Sequence, residues 1–218
     1  MYCFICLFRS HSIIHKNIIA VLFLGILTMP QAKTLKDNEI KQVLKIVSIG
    51  RNSERNRAMI LISYLAGMRV GEIAALKIGD VLDANNEVKT EIWLKAEQTK
   101  GNKGRKVIFG EKLRKEIRIY LDSLKKLDAH QPLIYSQRNR NGFNANNLGQ
   151  EFKRIYQKAN ISGATSHSGR RTFITNLANK GIGVRLLQVL AGHKSIATTQ
   201  IYIDVNDEML KEAVELLN

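Results

Sequence analysis

The sequence predicts an α+β protein that is mostly helical and carries one small antiparallel β-sheet. Two observations lead to this class. Apolar residues recur at helical spacing in the segments on both sides of residues 88–109. Within that stretch the pattern changes to two extended runs rich in Val, Ile and Trp, which predict a β-hairpin. Both prolines, Pro30 and Pro132, lie outside the main predicted helices, where a missing N–H group does no harm.

The first residues, 1–32, differ in composition from everything after them. An apolar run from Ile18 to Met29 resembles the core of a signal peptide and is too short to predict a transmembrane span. Three alternatives remain open: an export signal, a membrane anchor, and translated upstream sequence from a wrongly assigned start. We favour the third, because Met29 begins a polar stretch just before a good helix start. One domain is therefore predicted over residues 33–218.

The first predicted helix of this domain carries an apolar stripe on one face. Its members are Leu35, Ile40, Val43, Leu44 and Val47. Thr34 is the predicted N-cap, with Asp37 as the acidic partner of a capping box. A more apolar helix follows over residues 55–68 and is predicted to be buried, with Gly67 near its C-terminal end. A short helix over residues 70–79 comes next.

The predicted hairpin covers residues 88–109. Its two extended runs are separated by KGNKG, whose glycines and asparagine favour a tight turn. A short third strand is predicted near Lys77–Val81.

Helical periodicity returns after the hairpin, over Glu111–Leu127. The next helix is predicted to be capped by Asn144 or Asn146. A further helix begins near Ser168 and is closed by Gly181. Short helical segments are predicted from there to the last residues.

The charge balance indicates the class of partner. The 218 residues include 34 Lys and Arg against 19 Asp and Glu, which gives a formal net charge of +15. Such a charge favours a polyanion, nucleic acid before an anionic membrane. The alternative is a basic surface that has no partner.

Several kinds of site are not predicted. Cys3 and Cys6 both lie at the start of the chain, so neither a disulfide framework nor a cysteine zinc site can organise the rest. The phosphate-binding motif GxxxxGK[S/T] does not occur, and the histidines do not have metal-ligand spacing. We therefore expect no cofactor and no metal.

The candidate site residues are scattered beside apolar helices. Arg69 stands at a helix start shortly before Glu72, and His167 stands three residues before Arg170. Because residues three apart share a helix face, one phosphate could contact both His167 and Arg170. The other candidates are Lys100, His193 and Tyr202.

Each candidate taken alone has an ordinary structural explanation. Arg69 is then an ion-paired surface residue, and Lys100 is a solvated turn lysine. The histidines are then structural residues whose hydrogen bonds are satisfied within the fold, and Tyr202 belongs to the apolar face of an amphipathic segment.

Taken together and in order, these residues resemble the catalytic domain of the tyrosine recombinases, the phage-type integrases. That family carries an arginine followed by an acidic residue, a hairpin lysine, a His-x-x-Arg pair, a His or Trp, and a nucleophilic tyrosine. The matching positions here are Arg69, Glu72, Lys100, His167, Arg170, His193 and Tyr202. The GH and T-x-x-Y contexts and the step from His193 to Tyr202 fit as well. The resemblance covers Lys33 to the C-terminus and implies the mostly helical fold of that catalytic domain.

The resemblance implies an enzyme of site-specific DNA recombination or integration. Tyr202 would attack a DNA phosphate and form a transient 3′-phosphotyrosine, which conserves the bond energy for rejoining. Arg69 and Arg170 would hold the non-bridging oxygens, since guanidinium groups bind phosphate bidentately.

The remaining residues receive supporting roles from the same resemblance. His193 would donate a hydrogen bond to the phosphate, and Lys100 would protonate the departing 5′ oxygen. His167 would act as an acid–base group or hold the phosphate. Glu72 would support the site without reacting.

Partners and location are implied in the same way. The partner is double-stranded DNA, and the protein would assemble as a homotetramer on it, with an accessory DNA-bending or core-binding protein as a further partner. Too few residues precede the first helix to form the helical N-terminal core-binding domain of such proteins, so we expect it to be absent. We expect a cytoplasmic protein with no membrane partner.

Three other functions remain open at this stage. A type IB topoisomerase uses the same nucleophile but only relaxes DNA, whereas a recombinase rejoins strands to a new partner. A catalytically idle protein would bind DNA through its basic surface. A membrane-anchored or exported protein is supported by residues 1–28 alone.

Overall fold

The architecture is one buried helix with other helices and a hairpin packed around it. The computed structural model describes residues 31–136, 141–203, 210–211 and 214–215, and over these the predicted α+β class is confirmed. The alternatives for the first residues lie outside the described part, as does most of the predicted C-terminal helix.

The elements follow the predicted order along the chain. The helices are α1 (Asp37–Ser48), α2 (Ser53–Ala66), α3 (Val70–Ala75), α4 (Ile78–Val81), α5 (Glu111–Asp122), α6 (Ala145–Lys158), α7 (Ser168–Ala178), α8 (Val184–Ala191) and α9 (Ala197–Gln200). The strands are β1 (Glu91–Leu94) and β2 (Arg105–Ile108).

Helix α2 lies at the centre of the core because apolar residues cover it on every side. Its consecutive residues 59–62 are all buried, and it packs against α1, α5 and α7. Gly67, predicted to end this helix, does so with a φ of 60°, in the left-handed region that favours glycine. Phe173 of α7 packs so closely on Gly67 that a Cβ there would fall 2.4 Å from its ring.

Strands β1 and β2 form the predicted antiparallel hairpin. Glu91 lies opposite Ile108, and the next pair, Ile92 and Val107, faces the core. The connection between the strands is longer than a tight hairpin turn, since it takes residues 95–104 and includes a turn of 3-10 helix at Ala96–Gln98. The predicted residues do turn within it, because the Asn102 N–H donates to the Thr99 carbonyl oxygen at 3.2 Å.

The side chain of Gln98 explains why this connection is long. Its Oε1 accepts a hydrogen bond from the backbone N–H of Lys95 at 2.8 Å. Its Nε2 donates to the carbonyl oxygen of Ala75 at 3.1 Å and to Asp80 Oδ2 at 2.8 Å. The first part of the loop is thereby tied to α3 and α4.

The predicted third strand near Lys77–Val81 is wrong, since Ile78–Val81 forms α4. Asp80 Oδ2 accepts a hydrogen bond from the backbone N–H of Lys77 at 2.9 Å, which satisfies a free donor at a helix start. The backbone on either side makes isolated bridges, between Lys77 and Pro132 and between Leu82 and Val88.

The predicted N-cap of the first helix is also wrong. Helix α1 begins at Asp37 with Lys36 in the cap position. The carboxylate of Glu39 accepts a hydrogen bond from the Lys36 N–H at 2.9 Å. Thr34 Oγ1 instead accepts a hydrogen bond from Arg171 Nε at 3.1 Å and so ties the start of the domain to α7.

Two other predicted helix ends are confirmed. Asn144 Oδ1 accepts a hydrogen bond from the Asn147 N–H at 2.8 Å and caps α6. Gly181 follows α7 with a φ of 75°. Helix α5 ends earlier than predicted, at Asp122, where the Ser123 hydroxyl donates to a carbonyl group of the last turn.

Among the described residues, no helix combines the length and the apolar character needed to cross a bilayer.

We expect Gly67→Ala to lower the free energy of unfolding more than Gly181→Ala does. Both positions have a positive φ, so each alanine costs about 1–2 kcal/mol in backbone strain. Only at Gly67 does the new Cβ meet the ring of Phe173, since the space at Gly181 is open. Overpacking of that kind adds about 1–3 kcal/mol. Urea unfolding of both variants measures the difference, and equal losses would contradict the close packing at Gly67.

Candidate active site

The C-terminal end of helix α8 organises the candidate site. The last carbonyl groups of a helix have no partner within it and carry the negative end of its dipole. Three successive carbonyl oxygens, at residues 190–192, each accept a hydrogen bond from an arginine side chain. The donors are Arg105, Arg170 and Arg69, at N···O distances of 3.2, 2.7 and 3.0 Å. These three side chains are called the arginine cluster below.

Arg170 is the most deeply buried member of the arginine cluster, at 5% exposed. It stands in the first turn of α7, and its Nη1 donates to the carbonyl oxygen of Gly67 at the end of α2. Both of its hydrogen bonds therefore go to carbonyl groups, which leaves further N–H donors of the guanidinium for a ligand. Burial, together with the charge of Arg69, lowers the pKa of Arg170 to about 9.

Glu72 holds the other two arginines. Its carboxylate accepts hydrogen bonds from Arg69 Nη1 at 2.9 Å and from the backbone N–H of Arg69 at 2.8 Å. Arg105 reaches it from β2, with Nε 3.1 Å from Oε1 and Nη2 2.7 Å from Oε2. Glu72 is 1% exposed, so the pair with Arg105 lies largely away from water.

The Glu72 carboxylate stays charged although it is buried. Burial alone would raise the pKa of Glu72, but the hydrogen bonds and charges of Arg105 and Arg69 outweigh it and lower the pKa below its usual range. Glu72 therefore contributes one negative charge to a region with several positive ones.

Gly192 connects α8 to His193. It has a φ of 62°, and a Cβ on it would fall 2.5 Å from Arg105 Cδ, so glycine is required both by conformation and by space. Gln188 fixes the next residue: its carbonyl oxygen accepts from the His193 N–H, and its Nε2 donates to the His193 carbonyl oxygen, both at 3.1 Å.

The ring of His193 lies among the positive charges. Its Nδ1 is 2.9 Å from Thr199 Oγ1. Desolvation, then the charges of Arg170 and Arg69, lower the pKa of His193 to about 4. The ring is therefore neutral at neutral pH.

Tyr202 lies directly after α9, and its ring stacks on His193. The ring centroids are 5.8 Å apart with an angle of 21° between the planes. The guanidinium carbon of Arg171 is 5.2 Å from the Tyr202 ring centroid, a distance at which a cation attracts an aromatic face. Arg171 also donates a hydrogen bond to Thr34, so the guanidinium group that contacts the Tyr202 ring has a fixed position.

Lys100 is exposed on the loop between β1 and β2. This loop closes one side of a groove of about 620 Å³, which Arg69 and His193 line from the other side. The loop approaches the segment after α8 closely, since a Cβ on Gly101 would fall 2.9 Å from Lys194 Cε. The long connection between the strands is thus what carries Lys100 to the groove.

His167 is exposed at the N-terminal end of α7. Partial desolvation, then the charges of Arg170, Lys100 and Arg69, lower its pKa. The charges of three candidate residues thus act on His167. The other six candidates are linked by hydrogen bonds, by the stacked rings or by the shared groove.

Arg105 is a residue that the sequence reasoning missed. It lies two positions before the buried Val107 and so shares the inward side of β2. A charged residue at an inward strand position requires a buried partner of opposite charge, which is the signal that could have found it. Arg171, which contacts Tyr202, was missed as well, and Thr199, which contacts His193, was noted only as the threonine of T-x-x-Y.

Metal ligands are not grouped in the described residues: nowhere in them do three or more His, Cys, Asp or Glu side chains come together in a way that could hold an ion. The arrangement instead offers several fixed cationic donors and two neutral histidines around a tyrosine. Such a set suits an anion with several oxygens, such as a phosphodiester.

Comparison with known proteins gives a consistent result. The model of the phage integrase family matches residues 33–209. Tyrosine recombinase XerA of Pyrococcus furiosus is 32% identical over 194 residues, which cover 88% of this chain and 63% of that protein. The chain thus spans less than two thirds of the length of this relative.

Two solved structures agree with the fold. The crystal structure of XerA recombinase has a TM-score of 0.68 and 30% identity, and the match covers 87% of this chain and 66% of that one. XerH site-specific recombinase, bound to its difH substrate in a pre-cleavage complex, has a TM-score of 0.59 and 26% identity. That match covers 88% of this chain and 56% of the XerH chain.

We expect Arg105→Met to destabilise the fold by about 3–5 kcal/mol at neutral pH, because it leaves the buried Glu72 carboxylate without its strongest partner. The control is Lys106→Met, which breaks the exposed pair of Lys106 with Glu91 and should cost less than about 1 kcal/mol.

The pH dependence of the same variant has a definite sign. In the native chain Glu72 has a lowered pKa, so its contribution to stability is lost as the pH falls through that value. The difference between native protein and Arg105→Met should therefore shrink in acid. Urea unfolding at several pH values measures this, and a difference that does not depend on pH would contradict it.

Proposed function

The chain belongs to the phage integrase family, and from this we propose that it catalyses site-specific DNA recombination or integration. Tyr202 is the nucleophile, and a transient 3′-phosphotyrosine links the enzyme to DNA. Residues 33–218 are assigned as the catalytic domain.

The observation that carries this proposal is the arrangement at the end of α8. Arg69 and Arg170 are held there by backbone carbonyl groups, and Tyr202 stacks on the histidine that follows them. An anion between these donors would lie close to the phenol. A basic surface that only binds DNA has no need for buried arginines preorganised around a tyrosine.

The bond changes in the proposed reaction balance as follows. The Tyr202 oxygen forms a bond to phosphorus, and the bond from phosphorus to the 5′ oxygen breaks. Lys100 gives a proton to that oxygen, so a 5′ hydroxyl leaves. His167, neutral because its pKa is lowered, accepts the phenol proton. Attack by a 5′ hydroxyl on the phosphotyrosine reverses these steps and rejoins a strand.

The negative charge that develops on the non-bridging oxygens is the main obstacle. Arg69 and Arg170 stabilise it bidentately, and His193 adds one hydrogen bond. Each such donor is worth about 3–4 kcal/mol in the transition state, by comparison with oxyanion holes. Glu72 is a positioning residue, because both of its oxygens are occupied by arginines.

Double-stranded DNA is the proposed substrate. Support comes from the formal net charge of +15 and from the similar XerH recombinase, whose structure is bound to its difH substrate. Assembly as a homotetramer, an accessory DNA-bending or core-binding partner and a cytoplasmic location are part of the same proposal.

We expect Tyr202→Phe to abolish covalent attachment to DNA and to leave DNA binding unchanged. The substrate is a set of nicked duplexes taken from the DNA that flanks the gene, and the readout is a protein–DNA adduct that survives denaturation. Tyr64→Phe, a change at a half-buried tyrosine of α2, is the matched control and should keep the adduct. An adduct that persists in Tyr202→Phe would overturn the assignment of the nucleophile.

We expect Lys100→Ala to slow cleavage by about 10²–10⁴-fold through the loss of the general acid. A substrate with sulfur in place of the bridging 5′ oxygen should recover most of that rate, because a thiol has a pKa of about 8.5 and leaves without protonation. Lys103→Ala, in the same loop, should change little on either substrate.

The same sulfur substrate distinguishes the role of Lys100 as general acid from the role of the arginines. Arg170→Ala should stay slow on it, because Arg170 acts on the non-bridging oxygens. Recovery of Arg170→Ala, or no recovery of Lys100→Ala, would contradict the proposed roles.

A further inference from the structure

The neutral ring of His193 raises a question about where its proton lies. A neutral imidazole carries one N–H, either on Nδ1 or on Nε2, and the other nitrogen then only accepts. A phosphate oxygen needs a donor. Because Nδ1 faces Thr199, the nitrogen left for the phosphate is Nε2. The proposed role of His193 therefore requires the tautomer with the proton on Nε2.

Thr199 is placed where it can decide this question. It lies in α9, its side chain is completely buried, and its Oγ1 is 2.9 Å from Nδ1 of His193. A hydroxyl group can donate or accept in such a contact. The direction of the bond sets the tautomer: a hydroxyl that donates to Nδ1 leaves the proton on Nε2.

The surroundings of Thr199 determine the direction. A buried hydroxyl has no water to receive its hydrogen, and an unsatisfied buried donor costs about 1–3 kcal/mol. Within the described residues, the Nδ1 of His193 is the hydrogen-bond partner of this hydroxyl. If Nδ1 were the donor, the Thr199 hydrogen would be left without an acceptor there.

Thr172 in α7 shows the contrasting case. Its side chain is also completely buried, but its hydroxyl has two partners. It donates to the Ser168 carbonyl oxygen at 2.7 Å and accepts from the Leu35 N–H at 2.8 Å. A threonine whose hydrogen is already used in this way can act as an acceptor, whereas Thr199 has its hydrogen available for Nδ1.

Thr199 is also connected to the tyrosine. Its carbonyl oxygen accepts a hydrogen bond from the Tyr202 N–H at 3.0 Å. The T-x-x-Y spacing thus lets one residue hold the backbone of Tyr202 through its main chain and the ring of His193 through its side chain.

We propose that Thr199 is a positioning residue that donates its hydroxyl hydrogen to Nδ1 of His193 and keeps the proton of that ring on Nε2, pointing to the phosphate. The part that concerns the phosphate rests on the proposed function. The part that concerns the tautomer does not, because it holds in the protein without DNA.

The first experiment observes the tautomer directly. In the ¹⁵N-labelled full chain at neutral pH, long-range proton–nitrogen spectra distinguish a protonated from an unprotonated ring nitrogen, and His193→Gln assigns the signals. We expect Nε2 protonated and Nδ1 unprotonated in the native protein and in Thr199→Ser. Thr199→Val has the same shape without the donor, and it should show signals averaged toward a mixture of both tautomers.

The second experiment measures adduct formation on the nicked duplexes. Thr199→Val should be slower by about tenfold, the equivalent of one hydrogen bond of about 1.4 kcal/mol, and Thr199→Ser should recover most of the rate. Thermal unfolding of both variants checks that the fold is retained.

The outcomes are separable. A native protein with Nδ1 protonated overturns the proposal, and this result needs no variant to fold. Unchanged signals in a folded Thr199→Val overturn it too. If the signals shift as expected and the native protein forms no adduct, the proposed function fails while the role of Thr199 stands.

Discussion

The hydrogen bonds between the end of α8 and the arginine cluster are the interaction on which the rest of the site depends. The three guanidinium groups are held by adjacent carbonyl groups, and like charges that lie close together repel strongly in a region of low dielectric constant. Three carbonyl dipoles and the Glu72 carboxylate offset that repulsion, and they also fix the direction of each guanidinium. Donors held in this way need no rearrangement when an anion arrives, which is the condition for effective stabilisation of a transition state.

The same positive charges explain the state of the histidines. Desolvation and the neighbouring cations keep the pKa of His193 near 4 and lower that of His167. Both rings are therefore neutral at neutral pH, and each can act as a donor at one nitrogen and an acceptor at the other. The site thus separates two tasks: permanent charge comes from arginine and lysine, and directional hydrogen bonding comes from neutral rings whose orientation is set by their neighbours.

The sequence was sufficient for several helix ends whose cause is local, although the local cap of α1 by Glu39 was not predicted. Asn144 caps a helix through a residue three positions away, and Gly67 ends one through its own backbone, so both could be predicted. The length of the hairpin connection was not predicted because Gln98 binds Ala75 and Asp80, which are distant along the chain. The third strand was wrong although the bond at the start of α4, from the Lys77 N–H to Asp80, is local. The candidate residues were found by their order and spacing. Arg105 was not, because its partner Glu72 lies in another element, α3, 33 positions away along the chain.

Because main-chain oxygens anchor the arginines, substitutions can accumulate at some of the anchoring positions during evolution. Every residue has a carbonyl group, so the side chain at 190 can be exchanged for others without any loss of the atom that holds Arg105. The size of residues 191 and 192 is restricted, because Ala191 is fully buried and a Cβ at Gly192 would meet Arg105. Distant relatives can therefore keep the geometry of these anchors while the residues that supply the carbonyl groups differ. An alignment based on residue identity alone would miss the C-terminal end of α8.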